Sequence, residues 1–169
     1  GGLLLALFLL PFVFKDKIVE ELKKVINDEI LAVVEFKNVN VSFIRSFPDV
    51  NLVLEDLSVT GIDTFEDLTL CNLKKVELDI DIMTLISSTA TPSINYFGLE
   101  DGKINVLILS DGTSNYNITK PDTMAAEKPE GEFLLNIKKY ELSNVDINYT
   151  DQTMALYSEI KNFFHVGKG

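Results

Sequence analysis

Strand-like alternation over most of the chain is the feature that most limits its fold. Residues 75–82 read KVELDIDI, with a charged side chain at every odd position and an aliphatic one at every even position. Because successive side chains of a β-strand point to opposite faces of the sheet, this pattern predicts a strand with one wet face and one apolar face. The same period of two recurs in residues 38–43 and 50–59, so we expect a mainly β fold.

Two later segments, residues 94–109 and 140–151, resemble one another. We interpret each as a strand, a two-residue turn and a second strand, with the turns at Asp101-Gly102 and Ser143-Asn144. The segments lie about 40 residues apart, which is typical of an elongated sheet that grows by adding similar units. A further strand is predicted within residues 154–166, and a surface loop in residues 120–131.

An apolar run and an amphipathic segment precede the strands. Residues 3–14 are apolar throughout, but as a helix they would reach only roughly 18 Å, against about 30 Å for a hydrocarbon core. No small-residue cleavage site follows, which favours part of a retained transmembrane anchor over a cleaved signal peptide; a buried core helix is the third alternative. The spacing of Ile18, Leu22 and Ile26 predicts an amphipathic helix that packs on the sheet or lies on a membrane surface.

Charge and the scarcity of reactive residues exclude several classes of function. With 26 acidic and 15 basic residues the net charge is −11, which disfavours binding to a nucleic-acid backbone. The single cysteine, Cys71, and the single histidine, His165, form no nucleophile–base motif. The sequence contains no phosphate-binding glycine loop and no metal-ligand spacing. We therefore expect a protein that is not an enzyme, with no catalytic residue, no metal and no cofactor.

A sheet with one apolar face must cover that face, and the sequence predicts too little helix to do so. Either the sheet closes into a sandwich with a dry core, the default on composition alone, or it forms an open groove whose apolar face meets lipid. The side chains that would face lipid in the second case are Val39, Val41, Phe43, Leu52, Leu54, Val76, Leu78, Ile80, Ile82, Ile104, Val106, Val145 and Ile147.

Several of these segments occur in a characteristic order, of which the Arg-Ser-Phe-Pro block at residues 45–48 is the most specific part. Together they resemble the N-terminal portion of the AsmA-like family of envelope proteins, in its Bacteroidota form. The segments are the apolar run, IVEEL at 18–22, VNVSFIRSFPDV at 39–50, LVLEDLSVTG at 52–61, the strand at 75–82, the segment at 83–86 and the hairpin end at 111–118.

The resemblance implies a single-pass inner-membrane protein of a Gram-negative bacterium, with its bulk in the periplasm. It implies an elongated, curled antiparallel sheet with a hydrophobic groove, similar to chorein-type lipid transfer proteins. Such a protein would hold or conduct phospholipid between the inner and outer membranes, or support outer-membrane biogenesis. The implied partners are phospholipid, the inner membrane through the N-terminal helix, and other envelope proteins. The alternative is a non-enzymatic scaffold or accessory subunit of an envelope complex, with a closed β core.

These expectations divide the chain into three parts. Residues 1–14 would be part of a transmembrane anchor, and residues 15–32 would be the amphipathic helix that caps the sheet. Residues 33–169 would be the start of a periplasmic β-groove domain that continues beyond residue 169.

Overall fold

A computed structural model describes residues 20, 23–24, 26–28, 30–42, 49–81, 83–84, 93–119 and 136–169. Within these residues the protein is mainly β, and its eight strands form one sheet that is not closed. The predicted anchor at residues 1–14, the loop at residues 120–131 and the side chains of Phe43 and Ile82 lie outside the described residues. No helix in the described part of the chain is long and apolar enough to cross a membrane.

A short 3₁₀ helix lies at Asp63–Phe65, between the third and the fourth strand, and residues 83–84, after the fourth, are helical. The strands are β1 (Ala32–Glu35), β2 (Asn38–Ser42), β3 (Val50–Gly61), β4 (Thr69–Ile80), β5 (Ser93–Ile108), β6 (Asn136–Ile137), β7 (Lys139–Asp151) and β8 (Leu156–Lys168). The sheet order is β1-β3-β4-β5-β7-β8, with β2 also beside β3 and β6 beside β5.

The predicted amphipathic helix is shorter at its end than expected. Residues 20, 23–24 and 26–28 are helical, but Ile30 already bridges to Thr119 and Ala32 begins β1. The backbone N–H of Leu31 donates to the carbonyl oxygen of Ile118 at 2.6 Å. Pairing with a distant segment therefore overrides the helical spacing of the last apolar residues.

The expectation of a wholly antiparallel sheet is wrong at one place. β5 pairs in parallel with β6 and β7, whereas the other neighbouring strands are antiparallel. Phe97 lies beside Tyr140 and Ile108 beside Asp151, so the two later segments run side by side at a constant offset of 43 residues. Parallel neighbours need a crossover connection, and the chain between β5 and β6 is long enough to supply one.

The two predicted turns inside these segments are also wrong, because β5 and β7 each run through them without reversing. Asp101 and Asn144 do adopt the left-handed conformation that suits such turns, with φ of 51° and 54°. One such residue kinks an extended strand without turning it, and the Asn144 amide donates to the Asp101 carboxylate beside it at 2.5 Å. A residue with positive φ is common in turns, but here it lies within a continuous strand.

These kinks form a line across the sheet, which we call the crease. At the crease, successive side chains on the apolar face of each long strand lie three residues apart in the sequence instead of two. Asp56, Asp101, Asn144 and Asn162 have positive φ there. The step of three in β8 lies opposite Val145–Ile147 of β7, one residue pair beyond the step in β7. The steps are Phe36 to Val39 between β1 and β2, Leu54 to Leu57, Leu73 to Val76, Leu99 to Gly102, Leu142 to Val145, and Ile160 to Phe163.

The closed sandwich is wrong for the described strands, which belong to one open sheet. Its apolar face is covered in part by Ile26 and Ile30 and by Ile118 in the segment that follows β5. These residues pack against the buried cluster contributed chiefly by β1 to β4.

Candidate functional site

Four rows of side chains cross the apolar face at right angles to the strands, and the crease separates row 2 from row 3. Row 1 is Val41, Leu52, Leu78, Phe97, Tyr140 and Gly167; row 2 is Val39, Leu54, Val76, Leu99, Leu142 and His165. Row 3 is Leu57, Leu73, Gly102, Val145 and Phe163; row 4 is Val34, Val59, Cys71, Ile104, Ile147 and Ile160. Across six strands a row is roughly 24 Å long, from a spacing of about 4.8 Å.

Burial of the apolar face is high beside the crease, and in row 4 also at β1 and β3. Val39 in row 2 is 2% exposed, and Val145 in row 3 is fully buried. Leu78 and Phe97 in row 1 and Ile104 and Ile147 in row 4 are only half-buried. Kinks of this kind bend a strand, so the crease forms the floor of the apolar face and the outer rows form its margins.

Exposure also rises along the rows from β1 towards β8. In row 4, Val34 is 5% exposed, Cys71 and Ile147 are half-buried, and Ile160 in β8 is 43% exposed. Row 2 follows the same trend, from buried Val39 to exposed His165. Among the described strands the face is therefore covered at β1, which we call its closed end, and most exposed along β8.

The closed end is held by specific contacts. The Asn27 side-chain amide donates to the carbonyl oxygen of Val34 at 3.1 Å and accepts from its N–H at 2.7 Å, as a neighbouring strand would. The Lys23 ammonium lies 4.9 Å from the centre of the Phe36 ring, which is 3% exposed. The described part of the helix is thus fixed against the outer side of β1.

The predicted lipid-facing residues that the structure describes all lie on this one face. Rows 1 and 2 hold those from β2, β3 and β4 other than Ile80, row 3 holds Val145, and row 4 holds Ile104 and Ile147. Ile80 and Val106 lie just beyond row 1 and row 4 respectively. Val39, Leu54, Val76 and Val145 are already buried within the protein, which leaves Leu78, Ile104 and Ile147 as more accessible members.

Sequence reasoning missed several members of the rows, including Phe97, Leu99, Leu142 and Phe163. The turns predicted inside β5 and β7 cut these strands in two, so their first halves were not assigned to the face. The signal that finds them is the step of three between apolar residues on either side of a polar pair, which recurs in each long strand.

The opposite face of the sheet is charged. The Lys75 ammonium lies 3.2 Å from a carboxylate oxygen of Glu77 and 3.1 Å from one of Glu100. Its hydrogen bond to Glu100, and secondly that to Glu77, raise the pKa of the ammonium. Lys139 pairs with Glu141 at 3.7 Å and lies over the Tyr96 ring. Burial, and after it the negative charge of Glu141, raises the pKa of the Tyr96 hydroxyl. An acyl chain on this face would strip water from paired charges, which is unfavourable.

The reactive side chains on the apolar face are packed among apolar neighbours and aromatic rings. Burial raises the pKa of the Cys71 thiol, which keeps it protonated at neutral pH. The His165 ring stacks on Tyr140 at 5.5 Å and on Phe163 at 5.9 Å between ring centres. In the described part of the chain, no three His, Cys, Asp or Glu residues are grouped so as to hold a metal ion.

Comparisons of the chain with protein-family models, with curated proteins and with solved structures gave no match.

Proposed function

We propose that the apolar face binds the acyl chains of phospholipid, which lie along the rows and across the strands. The observation that carries this proposal is the continuity of the four rows across the described strands. The ionisable side chains in these rows are Cys71, Tyr140 and His165. Row 1 and the β4, β5 and β7 members of row 4 are half-buried, so an acyl chain can reach them, while lipid head groups stay in water at the margins.

The hydrophobic free energy available along one row is large enough to hold an acyl chain. About ten methylenes laid along a row would gain on the order of 8 kcal/mol, at about 0.8 kcal/mol for each one buried. Ordering of the lipid removes part of this gain, so reversible binding is the expected result.

The resemblance noted above supplies the cellular setting of the proposal. The protein would be anchored in the inner membrane by a helix that includes residues 1–14, with its bulk in the periplasm of a Gram-negative bacterium. There it would hold or conduct phospholipid between the two membranes, or support outer-membrane biogenesis, on an elongated and curled sheet. What supports this setting is the order of sequence segments together with the open apolar face.

A second candidate function is a non-enzymatic scaffold or accessory subunit of an envelope complex. The observation that favours it is the edge strand β8, where Tyr157 and Phe164 are 64% and 63% exposed on the face opposite the rows. In this case the apolar side chains of β8 would contact protein and not lipid.

Lipid extraction and native mass spectrometry of the purified protein distinguish the two candidates. Leu78→Asp/Ile80→Asp places charges at the margin of the apolar face and is expected to remove bound phospholipid. Val33→Asp/Val53→Asp places the same charges on the opposite face of β1 and β3 and should leave bound phospholipid unchanged. A folded wild-type protein that carries no phospholipid, or equal lipid content in both double variants, would favour the scaffold.

A further inference from the structure

One side chain of the apolar face belongs to the residue type that ordinarily changes its charge near neutral pH. Histidine ordinarily titrates between about pH 5 and pH 8, and His165 is the single histidine of the chain. It lies in row 2, opposite Leu142 of β7, so its ring projects from the side of the sheet that carries the rows. This position is set by the pairing of β7 with β8 alone.

Two aromatic rings hold the imidazole on this face. The centre of the His165 ring lies 5.5 Å from that of Tyr140 and 5.9 Å from that of Phe163, with angles of 22° and 3° between the ring planes. The Tyr140 ring also lies over Gly167, where an added methyl group would collide with it. The three rings therefore form one line across rows 1 to 3, with the imidazole in the middle.

No described neighbour of the imidazole on this face carries a carboxylate or an ammonium. Tyr140 and Phe163 flank the ring, and Leu142 lies opposite it. Tyr140 is the one titratable group among these neighbours, and tyrosine ordinarily ionises only at about pH 10. Charged residues of the same two strands, such as Glu141 and Lys168, alternate with the row residues and lie on the opposite face. An imidazolium on the apolar face would therefore depend on water for its solvation.

We infer that protonation of His165 releases an acyl chain from the apolar face, so that bound phospholipid is lost as the solution becomes acidic. A chain that lies along row 2 covers the imidazole and removes water from it. A neutral imidazole tolerates this loss of water, whereas desolvation of an imidazolium is unfavourable. Binding of lipid and binding of a proton therefore oppose one another. The inference rests on the proposed lipid binding and adds its dependence on pH.

The first test compares the affinity of the purified protein for a phosphatidylcholine with a fluorescent acyl chain at about pH 8 and at about pH 5. Wild-type affinity is expected to be about tenfold or more weaker at the lower pH. His165→Phe keeps every carboxylate but cannot take up the proton, so its affinity should be the same at both pH values. Glu141→Gln, on the opposite face, is the matched control and should keep the wild-type dependence on pH.

A second measurement needs no variant. Because the chain has one histidine, its imidazole protons give a single set of resonances in an NMR pH titration. Addition of a short-chain phosphatidylcholine, below the concentration at which it forms micelles, is expected to move the midpoint of this titration to lower pH. A ring stack with a purely structural role would leave the midpoint in place.

The outcomes separate the inference from the function on which it rests. Equal wild-type affinity at both pH values, the same pH dependence in His165→Phe, or an unmoved NMR midpoint on saturation with lipid would overturn the role of His165. Failure of the wild-type protein to bind phospholipid at either pH would instead overturn the proposed function.

Discussion

At the scale of single residues, Gly102 shows how closely strands β4 and β5 approach at the crease. A methyl group at this position would collide with the carbonyl oxygen of Asn72 and lie 2.8 Å from the Cα of Leu73. Both neighbours are backbone atoms held in the sheet, so they cannot move aside cheaply. The next strand carries the fully buried Val145 at the equivalent position of row 3, which fills the adjacent space.

Gly102→Ala is therefore expected to lower the free energy of unfolding by about 1–3 kcal/mol, the usual cost of an overpacked core. Urea denaturation followed by circular dichroism measures it. Gly98→Ala is the matched control in the same strand, because the added methyl would meet the ring of Tyr96, a side chain that can rotate away. Equal losses in the two variants would show that Gly102 owes nothing to the approach of β4.

Asp151 gives the hairpin between β7 and β8 a dependence on acid. The Thr153 hydroxyl donates to its carboxylate at 2.5 Å, the N–H groups of Thr153 and Met154 donate to the same oxygen, and these bonds hold its pKa below the ordinary value. A carboxyl whose pKa is lower when folded contributes stability above its unfolded pKa and loses it as the pH falls through the folded value. The hairpin should therefore weaken only in strongly acidic solution.

Replacing Thr153 by Val removes the hydroxyl donor and should raise the pKa of Asp151, so the midpoint of acid unfolding is expected to move to higher pH. The change is monitored by circular dichroism during acid titration. Thr153→Ser keeps the hydroxyl and should retain the wild-type midpoint. A midpoint that is the same in all three proteins would rule out this role for Asp151.

At the scale of the strand, the crease explains which parts of the fold could be predicted. Alternation alone predicts strands at residues 38–43, 50–59 and 75–82, which correspond to β2, to β3 and to the second half of β4, because a period of two holds over most of those residues. The step of three at Leu99 to Gly102 and Leu142 to Val145 broke that period and was interpreted as a turn. Whether Asp101 or Asn144 reverses a strand or merely kinks it depends on neighbouring strands, which local sequence does not specify.

Deleting Asp101 tests the crease directly. Without this residue the apolar-face side chains of β5 on one side of the crease would move to the charged face, because a shift by one residue exchanges the two faces of a strand. We expect loss of the cooperative thermal transition in circular dichroism. Insertion of one glycine after Gly112, in the exposed turn, is the control and should leave the transition nearly unchanged. A deletion variant that melts like wild type would show that the step of three is dispensable.

At the scale of the whole molecule, the aligned steps of three give a one-sided sheet whose apolar face is buried along the crease and towards β1 and half-buried elsewhere in most of its rows. Two of the predicted features follow from alternation: the mainly β fold and the separation of apolar from charged side chains. Alternation left an open sheet and a closed sandwich as alternatives; the resemblance favoured the open sheet, which the structure shows. The gradient of exposure along the rows was not predictable from the sequence. The gradient arises because the described covering residues, Ile26, Ile30 and Ile118, pack against the buried cluster, which comes chiefly from β1 to β4.

The most direct test of the central claim is to map where lipid touches the folded wild-type protein. A phospholipid with a photoactivatable group in its acyl chain is supplied in vesicles, cross-linked by light, and the modified residues are identified by mass spectrometry of peptides. Lipid bound along the rows predicts cross-links at Leu78, Phe97, Ile147 and Phe163, and none at Lys75, Tyr96 or Glu141 on the charged face. Cross-links spread equally over both faces, or confined to the charged face, would contradict lipid binding by the apolar face.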